Sequence, residues 1–334
     1  MAVPRPEAQG LVLTVEVAAN GLTFDVEQFG DPAAPPVLLI MGLAMPAAAW
    51  PDEFIERLRL HGLRVIRFDN RDAGGSARVR AVRRQNVQVA MARALMRLPV
   101  HAAYTLDDMA DDAAGVLDAL GIPRAHVVGA SMGGMIAQVL AARRPERVAT
   151  LTSIMSSSGN PSPRVAFGSG RALRALLRRP GRLDNVESIT AHLMHVFGVI
   201  GSPGFRAEPH AMRAQMAKVA RRGYDPAGAE RQLLAILASG DRRPLLERIT
   251  APTLVIHGAD DPLVPVAAGI DTATHIRGAQ LKIIPGMGHD FAPSLQAMIA
   301  DSIAAHTRRA PILNETAVVP PGMTRPSDAA AAAA

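Results

Sequence analysis

Short apolar runs that alternate with helical patterns restrict the fold of this chain more than any other feature. The run at residues 37–41 is continuous in apolar residues, which is typical of a strand that is buried on both faces of a sheet, and the others are strand-like runs interrupted by single polar or charged residues or short groups of them. The runs occupy residues 37–41, 63–68, 125–129, 148–155, 252–257 and 281–284. Because helical patterns separate most of them, the sequence predicts an α/β architecture with a mostly parallel sheet and helices on both of its faces.

Two segments near the start of the chain have a different pattern. Residues 11–18 and 22–29 alternate apolar and polar side chains, and Asn20-Gly21 lies between them. An Asn-Gly pair between two such segments favours a β-hairpin, since both residues tolerate the positive φ that a tight turn requires. The sheet is therefore expected to begin with two antiparallel strands.

The alternation stops over residues 159–241, which have a helical pattern interrupted by Pro and Gly. We call this segment the insertion. It divides the chain into a first core part at residues 1–158, the insertion itself, a second core part at residues 242–309 and a tail at residues 310–334. The tail is rich in Pro and Ala, a composition that favours a flexible segment.

The composition excludes several classes of function. None of the 334 residues is Cys, which rules out disulfides, thiol catalysis and Cys-ligated metal sites. The formal charge of +6 comes with only 3% aromatic residues and no nucleic-acid-binding motif, so we expect no nucleic-acid partner. No apolar run reaches the ~18 residues of a membrane helix. The N-terminal residues show no secretory signal, so we expect a cytoplasmic protein that does not enter a membrane.

The motif Gly129-Ala130-Ser131-Met132-Gly133 lies between an apolar run and a helical pattern. In this context a G-x-S-x-G motif forms a sharp turn that exposes its Ser at the N-terminus of the helix, with glycines where neighbouring backbones approach closely. The alternative is a Gly-rich turn with an incidental Ser. The matching context favours Ser131 as a nucleophile.

A nucleophilic Ser needs a base, and the base needs an orienting acid. His289 follows the last predicted strand in a Gly-rich loop, and Asp261 follows the strand before it. Asp260 is the rival acid, which would otherwise cap the turn. Since the carboxyl ends of parallel strands meet at one edge of a sheet, Ser131, Asp261 and His289 are expected to meet there.

An oxyanion that forms during attack by Ser needs hydrogen-bond donors. We expect one donor to be the backbone N–H of Met132, the residue after the nucleophile. The second should come from the loop after the 37–41 strand, where we favour the N–H of Leu43 and expect Gly42 to let the backbone approach. For the substrate pocket we predict apolar walls from both sides of the site. The candidates are Gly42, Trp50, Met194, Phe197 and Met212.

From about residue 11 to residue 306 the chain resembles the α/β-hydrolase superfamily, especially serine carboxylesterases, aclacinomycin-type methylesterases and cofactor-free haloperoxidases. The motifs that carry the resemblance are Met41-Gly42, Phe68-Asp69-Asn70-Arg71-Asp72-Ala73-Gly74-Gly75-Ser76, the turn at Ser131, Asp261-Pro262 and Gly288-His289. Met41 departs from the His that is usual there, but that His is not a member of the triad. The resemblance implies an α/β-hydrolase fold with eight strands and a helical cap formed by the insertion. It also implies that Arg71 and Asp72 order a loop, with Arg71 at the pocket as the alternative.

The resemblance and the motifs together predict hydrolysis of carboxylic esters of small to medium apolar acids, without a metal or an organic cofactor. Three alternatives use the same triad: hydrolysis of a carbon–carbon bond, hydrolysis of a lactone, and perhydrolase or haloperoxidase activity. A non-catalytic ligand-binding protein is a more remote alternative, since such proteins typically lose a triad member. The expected partner is a small-molecule ester, and the sequence leaves open whether the chain forms homo-oligomers.

Overall fold

The computed structural model describes residues 12–80, 86–166 and 168–312 of the chain. Its strands form one sheet of eight. They are β1 (Val12–Ala19), β2 (Leu22–Phe29), β3 (Pro36–Ile40), β4 (Arg64–Phe68), β5 (Ala125–Ala130), β6 (Val148–Ile154), β7 (Thr253–Gly258) and β8 (Gln280–Ile284). The predicted tail falls mostly at residues 313–334, which lie outside the described residues.

Helical patterns at residues 50–60, 105–120, 132–144, 266–275 and 291–306 predict five helices, and the structure has helices there that agree to within two residues at each end. The described residues contain twelve α-helices. They are α1 (Asp52–Leu60), α2 (Val87–Leu95), α3 (Leu106–Ala119), α4 (Met132–Arg143), α5 (Pro163–Ala166), α6 (Gly170–Leu177), α7 (Val186–Ile200), α8 (Pro209–Arg222), α9 (Pro226–Ser239), α10 (Arg243–Leu246), α11 (Val266–Thr274) and α12 (Pro293–Thr307). In the part of the chain that the structure covers, none of them is both long and apolar enough to cross a membrane.

The strands lie in the order β1-β2-β4-β3-β5-β6-β7-β8. β1 and β2 form the predicted antiparallel hairpin, and β2 also pairs antiparallel with β4. All other neighbours are parallel. The predicted α/β architecture with a mostly parallel sheet is thus confirmed, and the carboxyl ends of β3, β5, β7 and β8 share one edge.

Both faces of the central strands are buried, which explains their apolar runs, whereas the edge strand β8 is largely exposed. In β3, Leu38 and Ile40 pack on the face covered by α3 and α4, whereas Val37 and Leu39 pack on the face covered by α1 and α12. Neighbouring side chains on a strand point to opposite faces, so each position of β3 loses contact with water. Each such burial contributes about 2 kcal/mol to folding.

The first turn of α3 shows how local sequence defines an element boundary. Thr105 is the N-cap, and its side chain and that of Asp108 form a capping box. The backbone N–H of Thr105 donates to the Asp108 carboxylate at 2.7 Å. These bonds satisfy N–H groups that have no partner inside a helix, so α3 begins where the sequence predicted.

The insertion contains α5 to α9, which lie between β6 and β7 in the chain. It has a small apolar cluster of its own where α7 packs on α8. The buried members are Ile189, Leu193, Met216, Val219 and Ala220. Met45 and Ala49, which follow β3, pack against this cluster. The insertion therefore lies against the loop in which one oxyanion donor was predicted.

Stability is expected to fall in mild acid because of a buried His in β5. His126 is 1% exposed, and burial lowers its pKa to about 4 from 6.5. Between pH 6.5 and 4 the unfolded chain binds a proton that the folded chain does not. The free energy of unfolding therefore increases with pH across this window and decreases as the pH falls. A shift of this size corresponds to about 3 kcal/mol.

The measurement is the thermal midpoint from pH 7 to 4. His126→Asn should make this dependence less steep, because Asn does not titrate and can still reach the Thr150 hydroxyl that lies 2.9 Å from the His126 Nδ1, while the buried His257 and His306, whose pKa is also lowered by burial, keep part of it. The exposed His101 provides the matched control, and His101→Asn should leave the slope unchanged. Equal slopes for His126→Asn and the parent protein would contradict this assignment.

Candidate active site

Ser131 lies at the tip of the turn between β5 and α4 and has a strained backbone. Its φ is +55°, in a region that L-residues rarely adopt and that costs about 1–3 kcal/mol. Two hydrogen bonds hold it there: the Ser131 N–H donates to the Ile154 carbonyl at 2.9 Å, and the Ser156 hydroxyl donates to the Ser131 carbonyl at 2.8 Å. The half-buried Ser131 side chain is thereby held at the carboxyl edge of the sheet.

The glycines of the motif are required by close backbone approaches. A Cβ at Gly129 would overlap the carbonyl group of Gly133, and a Cβ at Gly133 would overlap the carbonyl oxygen of Ile40 in β3. Residues larger than Gly at either position would push α4 away from the strands. The two flanking glycines therefore allow the sharp turn that presents Ser131.

The structure brings Ser131, His289 and Asp261 into one hydrogen-bonded row. The His289 Nδ1 lies 2.7 Å from the Asp261 Oδ2, and its Nε2 lies 3.0 Å from the Ser131 Oγ. An ionised carboxylate can only accept, so Nδ1–H is the donor to Asp261. In the neutral ring Nε2 is then an acceptor, and it is aligned to receive the proton of Ser131.

The turn after β7 separates the two candidate acids. Asp261 is 7% exposed, and its Oδ1 accepts the N–H groups of Leu263 and Val264, both at 2.9 Å. Asp260 is exposed and accepts the N–H of Gly286 at 2.7 Å. Asp261 therefore orients His289, whereas Asp260 caps the neighbouring loop.

A second His lies behind Asp261. The ring of His257 is fully buried in β7, and its Nε2–H donates to the Val264 carbonyl at 2.9 Å. Burial lowers the pKa of His257, which favours its neutral form. Its Nε2 is 3.7 Å from the Asp261 Oδ2. This ring therefore supports the turn that carries Asp261.

The loop that carries His289 is held by the segment after α7. The His289 N–H donates to the Ile200 carbonyl at 2.7 Å. The Ser202 N–H donates to the Asp290 carboxylate at 3.0 Å, and the Ser202 Oγ accepts the N–H of Gly288 at 2.9 Å. Burial raises the pKa of Asp290. These contacts fix His289 against the insertion.

The predicted oxyanion donors flank Ser131. A Cβ at Gly42 would lie 3.0 Å from the Ser131 Cβ, so the loop after β3 passes directly beside the nucleophile. Met132 is the first residue of α4 and is fully buried, and Leu43 is half-buried. Within the described residues, no acceptor pairs with the backbone N–H of Leu43 or Met132.

The loop at residues 69–76 is anchored to the insertion by two buried carboxylates. The Arg222 Nε of α8 donates to Asp69 at 2.9 Å, and Arg231 of α9 donates to Asp72 at 2.7 and 2.9 Å. Arg71 instead pairs with Asp112 of α3, at 2.5 and 2.7 Å. The structure thus gives Arg71 and Asp72 the loop-ordering contacts that the resemblance implied.

The predicted pocket residues divide into two groups. Met194, Phe197 and Met212 are partly buried and pack on the insertion cluster together with Met45. Trp50 is fully buried and lies against two other rings, those of Phe54 and Phe291, at centroid distances of 5.2 and 4.9 Å. We therefore assign Trp50 to the core rather than to the pocket, because its ring is enclosed by α1 and the residues before α12.

Four insertion residues that contact the site loops were not predictable as site residues from the sequence. Arg222, Arg231, Gln232 and Ser202 each bond a group more than 80 positions away in the chain. Asp290 was detectable as the neighbour of His289, but the other four side chains have no motif around them. Among the described residues, no group of three or more His, Cys, Asp or Glu side chains could hold a metal ion.

The fold agrees with the comparisons. A family model described as the alpha/beta hydrolase fold matches residues 35–292, so the chain belongs to the α/β-hydrolase family. Rhodomycin D methylesterase of Streptomyces peucetius is 32% identical over 318 residues, covering 89% of this chain and 98% of the methylesterase.

A 2-hydroxy-6-oxononadienedioate/2-hydroxy-6-oxononatrienedioate hydrolase of Paraburkholderia xenovorans is 32% identical over 201 residues, covering 57% of this chain and 65% of that protein. Among solved structures, the enol-lactonase of Burkholderia xenovorans superimposes with a TM-score of 0.65 at 22% identity, over 88% of this chain and 100% of the other. At that identity the likeness supports the fold alone.

Proposed function

We propose that this protein hydrolyses carboxylic esters through an acyl-enzyme on Ser131. The observation that carries the proposal is the hydrogen-bonded row in which His289 links Asp261 to the strained Ser131, at 2.7 and 3.0 Å. A nucleophile, a base within hydrogen-bond reach and a buried acid that orients the base are the groups that acyl transfer requires.

In the first half of the reaction Ser131 Oγ attacks the ester carbonyl carbon while His289 Nε2 takes the hydroxyl proton of Ser131. The carbonyl oxygen becomes an oxyanion, to which the N–H groups of Leu43 and Met132 donate. The bond to the alcohol oxygen then breaks, and the protonated His289 gives its proton to the leaving alkoxide.

In the second half water attacks the acyl-enzyme and His289 again takes a proton. Collapse of the second tetrahedral intermediate releases the carboxylic acid and returns the proton to Ser131. Asp261 holds the ring of His289 in the required tautomer and stabilises its charged form in both halves. No step requires a cofactor.

The relatives support an ester with a small alcohol group. Two relatives that align along 98% of their length are methylesterases by name, whereas the 2-hydroxy-6-oxononadienedioate/2-hydroxy-6-oxononatrienedioate hydrolase aligns over 65% of its length. We therefore propose that methyl esters and other small esters of apolar acids are substrates. The methionines and Phe197 of the insertion would supply an adaptable apolar wall.

A carbon–carbon hydrolase is the second candidate, because relatives named 2-hydroxy-6-oxononadienedioate/2-hydroxy-6-oxononatrienedioate hydrolases are 31–34% identical. The two candidates share the nucleophile and differ in the bond that breaks. A direct comparison of kcat/KM for p-nitrophenyl butyrate and for a 2-hydroxy-6-oxo-dienoate distinguishes them. We expect the ester to be preferred by at least ~100-fold, which corresponds to about 3 kcal/mol in transition-state binding. The reverse preference would make the second candidate the function.

A series of acyl chains tests the proposed pocket. The value of kcat/KM for p-nitrophenyl esters should be largest at butyrate or octanoate and fall at palmitate. Each buried methylene contributes roughly 0.8 kcal/mol until the pocket is full, and longer chains then clash. The matched reference is the acetate ester, which has the same leaving group and little acyl surface.

A maximum at palmitate, or activation at an oil–water interface, would contradict the enclosed pocket and indicate a lipase. Assays below and above the solubility limit of the octanoate ester separate a chain-length effect from an interfacial one.

A further inference from the structure

A buried amide from the insertion contacts the oxyanion loop. Gln232 of α9 has no exposed surface. Its Oε1 accepts the backbone N–H of Ala44 at 2.7 Å, and its Nε2 donates to the Arg71 carbonyl, also at 2.7 Å. One side chain of the insertion thus joins two loops of the core at the carboxyl edge of the sheet.

The loop that Gln232 contacts is strained and is held from both ends. Ala44 has a φ of +62°, a conformation that costs an L-residue free energy and persists only when its surroundings enforce it. On the other side of Gly42 and Leu43, the Nδ2 of Asn70 donates to the Met41 carbonyl at 2.9 Å. The two buried amides therefore bracket the peptide group that carries the Leu43 N–H.

We propose that Gln232 is a positioning residue that aims the Leu43 N–H at the oxyanion, so that the insertion takes part in catalysis as well as covering the site. This inference rests on the proposed function, since an oxyanion forms only if Ser131 attacks a carbonyl carbon. Gln232 does not touch the reacting atoms. It acts through the conformation of Ala44.

The neighbouring contact of α9 makes this arrangement rigid. Arg231 precedes Gln232 and donates two hydrogen bonds to Asp72, whose side chain is fully buried. The helix is thereby fixed to the loop of which Arg71 is a part. A side chain on a fixed helix can hold a neighbouring loop within the narrow tolerance that oxyanion donors require.

The test compares Gln232→Met with Gln215→Met. Gln215 is a matched control because it is also an insertion Gln that bonds the backbone after β3, donating to the Ala48 carbonyl at 3.0 Å, but it does not contact residues 42–44. We expect Gln232→Met to lower kcat by about 10- to 100-fold, since a displaced donor weakens binding of the transition state. KM should change by less than ~3-fold, and Gln215→Met should change both constants by less than ~3-fold.

A second readout separates positioning from loss of stability. A trifluoromethyl ketone forms a tetrahedral oxyanion adduct on Ser131, and its affinity should fall by the same factor as kcat in Gln232→Met. The affinity for the alcohol product, which has no carbonyl or carboxylate oxygen to place there, should be nearly unchanged. Gln232→Glu provides a conservative variant, because a buried carboxyl tends to be neutral and can replace both hydrogen bonds. The kcat of Gln232→Glu should be at least ~5-fold higher than that of Gln232→Met.

Three outcomes would overturn the inference: equal kcat for Gln232→Met and Gln215→Met, a loss confined to KM, or a Gln232→Glu variant as impaired as Gln232→Met. If Gln232→Met does not fold, Gln232→Asn takes its place, because its side chain is one methylene shorter and cannot make both 2.7 Å hydrogen bonds; it should lower kcat and the affinity for the ketone, and unchanged values would overturn the inference. A parent protein that does not hydrolyse esters would contradict the proposed function, and the inference would fall with it. An active parent protein with unaffected Gln232 variants would contradict the inference alone.

Discussion

Ser131→Ala is expected to lower kcat/KM for a p-nitrophenyl ester by about 10⁴-fold or more, because no other group can form the acyl-enzyme. The thermal midpoint should be retained or rise slightly. Ser131 has a positive φ, and Ala at this position would have the same conformational cost. The hydroxyl that is removed is hydrogen-bonded only to the Nε2 of His289, which faces the site. Activity measured with a folded variant therefore isolates the chemistry from the fold.

Ser157→Ala provides the matched control. Ser157 lies beyond β6, near the same sheet edge, and its hydroxyl accepts only the N–H of Gly159 at 3.1 Å. This variant should keep activity within ~3-fold of the parent protein. Phenylmethylsulfonyl fluoride should label the peptide that contains Ser131 and leave the Ala variant unlabelled. Labelling at another residue, or activity that survives in Ser131→Ala, would refute the assignment of the nucleophile.

Asp261→Asn is expected to have the second largest effect, a loss of kcat of about 10⁴-fold. The Asn oxygen can still accept the N–H groups of Leu263 and Val264, so the turn should keep its shape. Its amide would then face His289 and donate to Nδ1, which forces the ring into the tautomer that cannot take the proton of Ser131. The loss should therefore appear in kcat with little change in the thermal midpoint.

Asp260→Asn is the control at the adjacent position. Asp260 is exposed, and Asn can replace it as the acceptor for the Gly286 N–H. Its kcat should stay within ~3-fold of the parent value. A larger loss for Asp260→Asn than for Asp261→Asn would show that the acid of the site is the other residue and that the turn has a different conformation in solution.

Much of the fold is encoded locally and was predictable from the sequence. β3 is apolar at every position because both of its faces are buried, and β1 and β2 alternate because they form an antiparallel hairpin at the edge of the sheet. The order of Ser131, Asp261 and His289, each after a strand, was enough to place them at one edge, since parallel strands end on the same side.

The exact contacts of the site were less predictable. The sequence favoured Asp261 and left Asp260 as the rival acid, because the choice depends on which carboxylate the turn after β7 directs toward His289. The sequence left open whether Trp50 lines the pocket or belongs to the core, for a related reason. An aromatic residue in an apolar stretch fits a pocket wall and a core equally well, and only the packing against Phe54 and Phe291 decides.

The sequence by itself determined the class of fold, the order of its strands and helices and the residues able to attack, accept a proton and orient a base. These follow from apolar periodicity and from motifs a few residues long, which act through nearby backbone. Only the tertiary structure decided how the insertion holds the site: Gln232 against Ala44, Arg231 against Asp72 and Ser202 against Gly288. These contacts join residues that are 86 to 188 positions apart in the chain. Each requires atoms to be placed to within a few tenths of an ångström, which no local sequence pattern encodes.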